Sequence, residues 1–296
     1  MTEYYLAGLI DKKLEANLDI VSLHNSFPQY FNDDIKIAAF YGSFGKCIWN
    51  GGRKNTINMK HFSNPAEIIS KINSLGISVR FTFTNPFLKE EHLNDKFGNY
   101  LMSISNNGMN GVIVASDVLF KYLKSKYPNF KYIYSTTNCN LNIEDYNDDK
   151  YDIYVLDYRL NKSDLSKLKY KDKIEILVDD CCPICEYRKQ HFENIGRYNL
   201  GEKVNIDCIN PNNIFNHDNP KIFHESLLRT LATSLTCEEI EEYKKLGFNK
   251  FKLTGRTQGR MFLYESFLYY LVKPEYRYII REELNKIAGI NLYDDK

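Results

Sequence analysis

Short runs of β-branched and aromatic residues alternate along the chain with helical patterns or connecting loops. This order is typical of parallel β/α proteins, in which each strand is followed by a crossover to the next. Seven runs predict strands, at residues 35–41, 78–84, 111–115, 131–135, 152–156, 174–178 and 250–254. An eighth, weaker strand is expected somewhere between residues 203 and 235.

The helical patterns between these runs end at residues that stop helices. Helices are predicted over residues 65–75, 117–126 and 236–246, each followed closely by Gly or Pro. Thr236 and Glu239 have the spacing of a capping box at the start of the third helix. The segment 264–288 has an amphipathic helical pattern, interrupted near Pro274, and is expected to pack over the strands.

Eight such units match a TIM-like (β/α)8 barrel, which usually needs roughly 250 residues. The competing fold, an open doubly wound sheet, normally carries a Gly-rich phosphate turn after its first strand. The chain has no GxGxxG motif, and the segment from Gly42 to Lys46 lacks the spacing of a Walker loop. We therefore predict one barrel domain over residues 1–296, with residues 260–296 as a helical extension.

Composition and charge exclude several classes of protein. The 39 Lys+Arg against 38 Asp+Glu give a formal net charge of +1, which argues against a dedicated DNA-binding chain. The first residues contain no uninterrupted apolar segment, and no later run is long enough to span a bilayer. We expect a cytoplasmic protein with reduced thiols and no membrane partner. An odd number of cysteines, seven, also argues against a complete disulfide framework.

The ends of the predicted strands suggest where the chemistry takes place, because barrel enzymes react at the carboxyl ends of their strands. Small and polar residues follow most of the predicted strands, although loops are polar in many proteins. These residues are Tyr41, Gly42, Ser43, Asn85, Ser135, Thr136, Asp157, residues 179–185, Gly255 and Arg256.

Cysteines are concentrated after the sixth predicted strand, where Cys181, Cys182 and Cys185 share one loop. Cys208 lies in a later polar loop, and Cys237 begins a capped helix, where the helix dipole favours a thiolate. Four thiolates select an iron–sulfur cluster or zinc. Spacing leaves two sets open, which differ in whether Cys181 or Cys182 is the first ligand.

Other interpretations apply to the remaining thiols and to one histidine. Cys47 and Cys139 are expected to be ordinary buried residues. The pair Cys182 and Cys185 also has the spacing of a redox dithiol, but it lacks the thioredoxin context. His191 is either a ligand or acid/base group, or a hydrogen-bonded residue on the first turns of a helix.

Three passages of the sequence resemble the U32 family, long labelled peptidases and collagenase-like proteases. The first is the strand and cysteine loop with downstream Arg and His, from Glu175 to His191. The second is the helix and strand over residues 235–256, whose ending from Lys252 to Arg256 is similar to the family's Lys-Ile-Glu-Gly-Arg. The third, Tyr41-Gly42-Ser43 followed by Gly51-Gly52-Arg53, resembles a short branch of the family.

The resemblance implies a TIM-like barrel with a [4Fe-4S] cluster, and better understood members act in oxygen-independent hydroxylation of tRNA, rRNA or a quinone precursor. Carried over by position, the cluster ligands are Cys181, Cys185, Cys208 and Cys237. Zinc is the alternative metal.

Three functions follow as hypotheses, with the catalytic residues left open. In the first, an iron–sulfur enzyme uses Arg53, Asn85, Lys252 and Arg256 to contact an anionic or carbonyl-bearing substrate. The second is a U32-type peptidase, for which the chain lacks the HExxH and GxSxG motifs. The third is a non-catalytic protein with a structural metal. The substrate is a small molecule, a peptide or RNA, and no DNA partner is expected.

Overall fold

Eight parallel strands close into a barrel. A computed structural model describes residues 1–54, 60, 64–180, 185–208, 234–255 and 259–289. The strands are β1 (Thr2–Ala7), β2 (Ile35–Gly42), β3 (Ser78–Phe83), β4 (Gly111–Val114), β5 (Lys131–Tyr134), β6 (Ile153–Val155), β7 (Ile174–Leu177) and β8 (Lys250–Lys252). Each strand pairs in parallel with the next, and β8 pairs with β1. The predicted TIM-like (β/α)8 fold is confirmed.

The prediction misplaced one strand. The ring closes through β1 at the start of the chain, so it needs no strand between residues 203 and 235. Tyr5, Leu6 and Ala7 of β1 are fully buried, because one face of the strand packs into the barrel and the other against the helices. Residues 209–233, within the segment first assigned to the eighth strand, lie outside the described residues.

The described residues contain eight α-helices. They are α1 (Asp11–Ser26), α2 (Pro65–Ser74), α3 (Lys96–Ile104), α4 (Asp117–Lys126), α5 (Arg188–Asn199), α6 (Cys237–Lys245), α7 (Arg260–Leu271) and α8 (Arg277–Ala288). The capping box of α6 is present, because the Thr236 hydroxyl accepts from the backbone of Glu239 and the Glu239 carboxylate accepts from the backbone of Thr236. No described helix is long and apolar enough to cross a membrane.

The C-terminal helices differ in part from the expected pattern. A turn of 3₁₀ helix over Pro274–Tyr276 separates α7 from α8, at the predicted interruption. The expected amphipathic pattern does not describe α7, which is buried on nearly all sides because α1 and α8 both pack against it. The helical extension therefore forms part of the main core between barrel and helices.

A second, smaller core fills the inside of the barrel. It consists of Tyr5, Ala7, Ala39, Tyr41, Ile113, Ile133, Ile153, Val155, Tyr158 and Leu177. These side chains come from six of the eight strands and from one residue beyond β6, as expected from the alternation of side chains along each strand. The barrel is therefore packed, and its accessible chemistry is confined to the ends.

Candidate functional site

Buried polar side chains gather at the carboxyl ends of the strands. The residues that follow β2, β3, β5, β6, β7 and β8 there are Ser43, Thr84, Asn85, Ser135, Asp157, Asp179, Asp180 and Thr254, and all of them are buried. Each of these buried polar groups needs a hydrogen-bond partner. We call this polar carboxyl end of the barrel, formed by the eight residues above, the mouth.

Helix α5 lies across this mouth. Its first residue, Arg188, contacts Thr136, Asp157 and Asp180, which follow β5, β6 and β7. Its 12 residues extend about 18 Å, which is enough to reach the opposite side of the barrel. The buried residues Arg188, Phe192, Ile195 and Asn199 recur at helical spacing and form the face that points into the protein.

The far end of α5 is fastened to the loops after β2 and β3. The Asn199 amide donates to the backbone oxygens of Cys47 (2.8 Å) and Asn50 (3.0 Å). The Asn85 amide donates to the backbone oxygen of Gly196 at 3.1 Å. A β-carbon on Gly196 would lie 2.7 Å from the Asn85 side-chain oxygen, so only glycine lets the helix approach this closely.

Arg188 is the most unusual charge at the mouth. The residue is 3% exposed, and its guanidinium carbon lies 4.2 Å from the ring centre of Tyr158 and 4.7 Å from that of Phe192. Burial disfavours its charge, but Asp180 and Asp157 outweigh burial and raise the pKa of Arg188. The group is therefore a permanent cation in a nearly dry setting.

The two carboxylates beside Arg188 are placed differently. Asp157 accepts from Arg159 through both oxygens, at 2.8 and 3.0 Å, which is a bidentate pair. Its distance to the Arg188 Nε is 3.7 Å, and Asp180 lies 3.9 Å from Nη1. Both distances exceed those of a normal hydrogen bond.

Asp179 joins three elements beside the mouth. Its carboxylate accepts from the backbone of Thr254 at 2.6 Å and from the Ser266 hydroxyl at 2.8 Å, so it connects the ends of β7 and β8 to α7. Burial raises the pKa of Asp179 to about 6, and the two hydrogen bonds only partly offset this effect.

Lys252 lies inside the barrel. Its Nζ is 2.7 Å from the Glu175 carboxylate and 4.1 Å from the ring centre of Tyr41, and the residue is 4% exposed. Arg80 pairs with the other oxygen of Glu175. Burial opposes ionisation of Glu175, but Lys252 and Arg80 outweigh it and lower its pKa. Lys252 thus belongs to a buried ion network, while its predicted substrate contact stays a prediction.

The other predicted substrate contacts are placed as follows. Asn85 is fully buried, and besides Gly196 its amide donates to the backbone oxygen of Ile48, so it fastens loops together. Arg53 lies 5.9 Å from the ring centre of Phe192 on α5. Arg256 lies outside the described residues. The structure therefore brings Arg53 and Asn85 to α5.

The predicted metal ligands are not brought together by the described residues. Cys185 is buried just before α5, and Cys208 is partly buried. Cys237 begins α6, and its thiol donates to the backbone oxygen of Tyr269 at 3.2 Å. Among the described residues no three Cys, His, Asp or Glu side chains form a group able to hold a metal, and Cys181 and Cys182 lie outside them. The ligand set stays a prediction.

Cys139 differs from its expected role as an ordinary buried residue. It is only partly buried, has a left-handed backbone with φ of 53°, and lies near Arg188 and Asp157. Burial raises the pKa of its thiol, although Arg188 acts in the opposite direction. Cys47, in contrast, is buried as predicted.

His191 lies on the first turns of α5, as the second interpretation predicts. It lines a cavity of about 150 Å³ together with Gln190, Asn194, Asn205 and Asp207. Burial, and then the nearby Arg53, lower its pKa, so it is neutral at pH 7.

In the sequence Arg188 counts only as the downstream Arg of the passage from Glu175 to His191, and it is not among the predicted site residues. The available signal was its position three residues after Cys185, directly beyond the cysteine loop. Its partners Asp157 and Asp180 follow two different strands, and only the closed barrel brings them to one guanidinium.

Comparisons with known proteins agree with the fold. No family model and no curated protein matches the sequence. Among solved structures, the chain is similar to one described as the U32 peptidase Mk0906, with a TM-score of 0.52 and 13% identity. The match covers 87% of this chain and 94% of that one. At this identity the likeness concerns the fold, and the chain shares its barrel architecture with a U32 peptidase.

Proposed function

We propose that the chain is an enzyme of the U32 type that binds its substrate at the carboxyl end of the barrel, beneath α5. The observation that carries this proposal is the buried charge of Arg188 at the place where barrel enzymes react. Perturbed, buried charges in such a position are typical of functional sites. The resemblance of the cysteine loop and the structural likeness to a U32 peptidase support the same family.

More specifically, we propose an iron–sulfur enzyme of the kind that carries out oxygen-independent hydroxylation. It is supported by Cys185, which is buried beside the mouth and whose backbone oxygen accepts from the backbone N–H of Arg188. Cys208 and Cys237 do not join it in one group, and the Cys237 thiol is bound to Tyr269 instead. Among the described residues these three thiols form no group able to hold a metal, and Cys181 and Cys182 lie outside those residues, so no chemical step is derived through a cluster.

Peptide hydrolysis is the second candidate, because the structural neighbour is described as a peptidase. The mouth has a cation able to stabilise an oxyanion and a buried acid, Asp179. Cleavage of a fluorogenic peptide mixture, lost in the Arg188→Met variant, would favour this candidate over hydroxylation.

Purification without oxygen tests the iron–sulfur proposal. We expect a brown protein with a broad visible absorption and about four iron and four sulfide per chain. A colourless protein that holds stoichiometric zinc would contradict it.

A further inference from the structure

Polar atoms without partners are concentrated beneath α5. Four buried side-chain atoms there have no hydrogen-bond partner among the described residues: the Thr84 hydroxyl, Nε and Nη1 of Arg188, and the Asn199 amide oxygen. Buried polar groups are almost always paired, so each of these atoms indicates an absent ligand or ordered water. All four atoms belong to the strand ends or to the inward face of α5.

The environment of Arg188 selects the kind of group that would bind there. Tyr158 and Phe192 both contact the guanidinium, so its N–H groups are the part left for hydrogen bonding. A planar guanidinium matches the paired oxygens of a carboxylate or phosphate better than any other protein cation does.

The acidic residues around Arg188 do not use its full hydrogen-bonding capacity, so it is able to bind a further anion. Asp157 is already bound through both oxygens to Arg159. The contact with Asp180 is 3.9 Å, too long for a hydrogen bond. Below the mouth, Arg80 and Lys252 share the single carboxylate of Glu175, which adds a net positive charge to the barrel interior.

We propose that Arg188 binds an oxyanion, a carboxylate or a phosphate, on a ligand that enters beneath α5. This inference rests on the proposed function, which places the reaction at the same mouth. The Thr84 hydroxyl is a second buried polar group without a described partner at the same mouth. Asn199 lies roughly 16 Å farther along the helix axis, with the buried Phe192 and Ile195 between, so the proposed oxyanion contacts Arg188 and not Asn199.

Binding of two simple probes to the full chain tests this inference. Inorganic phosphate and succinate are titrated separately by calorimetry, with sodium chloride at matched ionic strength as the blank. We expect the unaltered protein to bind one of them, and the responding probe distinguishes phosphate from carboxylate. We expect Arg188→Met and Arg188→Lys to bind at least about tenfold more weakly, because the lost contacts are charged hydrogen bonds.

Lys189→Met is the matched control, because Lys189 is the exposed neighbour of Arg188 on the same helix. It should bind the probe as the unaltered protein does. Three results would each overturn the inference. They are Arg188 variants that bind the probe as tightly as the unaltered protein does, a loss of binding in Lys189→Met as large as in the Arg188 variants, and no binding of either probe to the unaltered protein.

A built-in reporter shows whether the variants fold. Trp49, the only tryptophan of the chain, is fully buried between the two loop residues whose backbone oxygens bind Asn199. Arg188→Lys should retain its native fluorescence even if Arg188→Met does not. Iron analysis of the same samples separates the two proposals. Probe binding without iron would support only the oxyanion site, and iron without probe binding would support only the iron–sulfur enzyme.

Discussion

Single side chains at the mouth and inside the barrel carry charges in places where water screens them poorly. Arg188 and Glu175 remain ionised there because opposite charges outweigh the cost of burial. For Asp179 the hydrogen bonds from Thr254 and Ser266 only partly offset burial, so its ionisation is costly. The sequence placed Lys252 at a strand end, but it did not reveal that Glu175 on the neighbouring strand would bind it.

Asp179 should make the protein less stable as the pH rises from about 4 to about 6. Its pKa in the folded protein is about 6, above the usual value near 3.9, so the folded state holds the proton more strongly than the unfolded state. Its favourable contribution is complete below about pH 4 and is lost as the pH passes 6.

The variant Asp179→Asn isolates this contribution. Asparagine still accepts from the backbone of Thr254 and has no charge to bury. The free energy of unfolding of the variant, relative to that of the unaltered protein, should therefore rise by up to about 2 kcal/mol between pH 4.5 and pH 7.5. Urea unfolding at both pH values measures the difference. A difference that is independent of pH would show that Asp179 titrates normally.

Glu175 is expected to be critical for stability. Its replacement by Ala leaves Arg80 and Lys252 buried without their shared carboxylate, which should cost about 3–5 kcal/mol in the free energy of unfolding. Glu15→Ala removes a partly exposed partner of Arg260 and should cost under about 1 kcal/mol. Similar losses in the two variants, measured by urea unfolding, would refute this view of the buried network.

At the level of elements, the position of α5 is the feature that defines the site. Strands and several helices could be predicted because their signals are local, such as the capping box of α6. The placement of α5 depends on contacts between residues 111 positions apart for Asn85 and Gly196, and 152 apart for Cys47 and Asn199. No local pattern contains that information. The closing of the ring has the same non-local origin, because β1, which also pairs with the neighbouring β2, meets β8 from the other end of the chain.

Gly196→Ala tests whether close approach of α5 to the barrel matters. Its added methyl group would lie 2.7 Å from the Asn85 oxygen and 3.0 Å from the ring of Pro86, so the helix has to move. We expect a loss of about 1–3 kcal/mol and a shift in Trp49 fluorescence. Gly259→Ala meets no atom within 4 Å and should change stability by less than about 1 kcal/mol. Equal effects of the two substitutions would contradict close packing of α5 against the barrel.

For the whole molecule, the closed barrel makes one end a candidate active site and the rest a support for it. The order of strands and the polar strand ends could be foreseen from the sequence, because alternation of strands and helices fixes a parallel fold. The metal site could not be settled in the same way, since cysteine spacing does not determine which thiols meet. In the described residues Cys185 lies near the mouth while Cys237 lies against α7.

The most direct test of the central claim is the iron content of two cysteine variants purified without oxygen beside the unaltered protein. We expect about four iron per chain in the unaltered protein and in Cys47→Ala, whose thiol is buried and is not a predicted ligand, and loss of most of the iron in Cys185→Ser. An unaltered protein without iron, or a Cys185→Ser variant that keeps its full iron content, would contradict it.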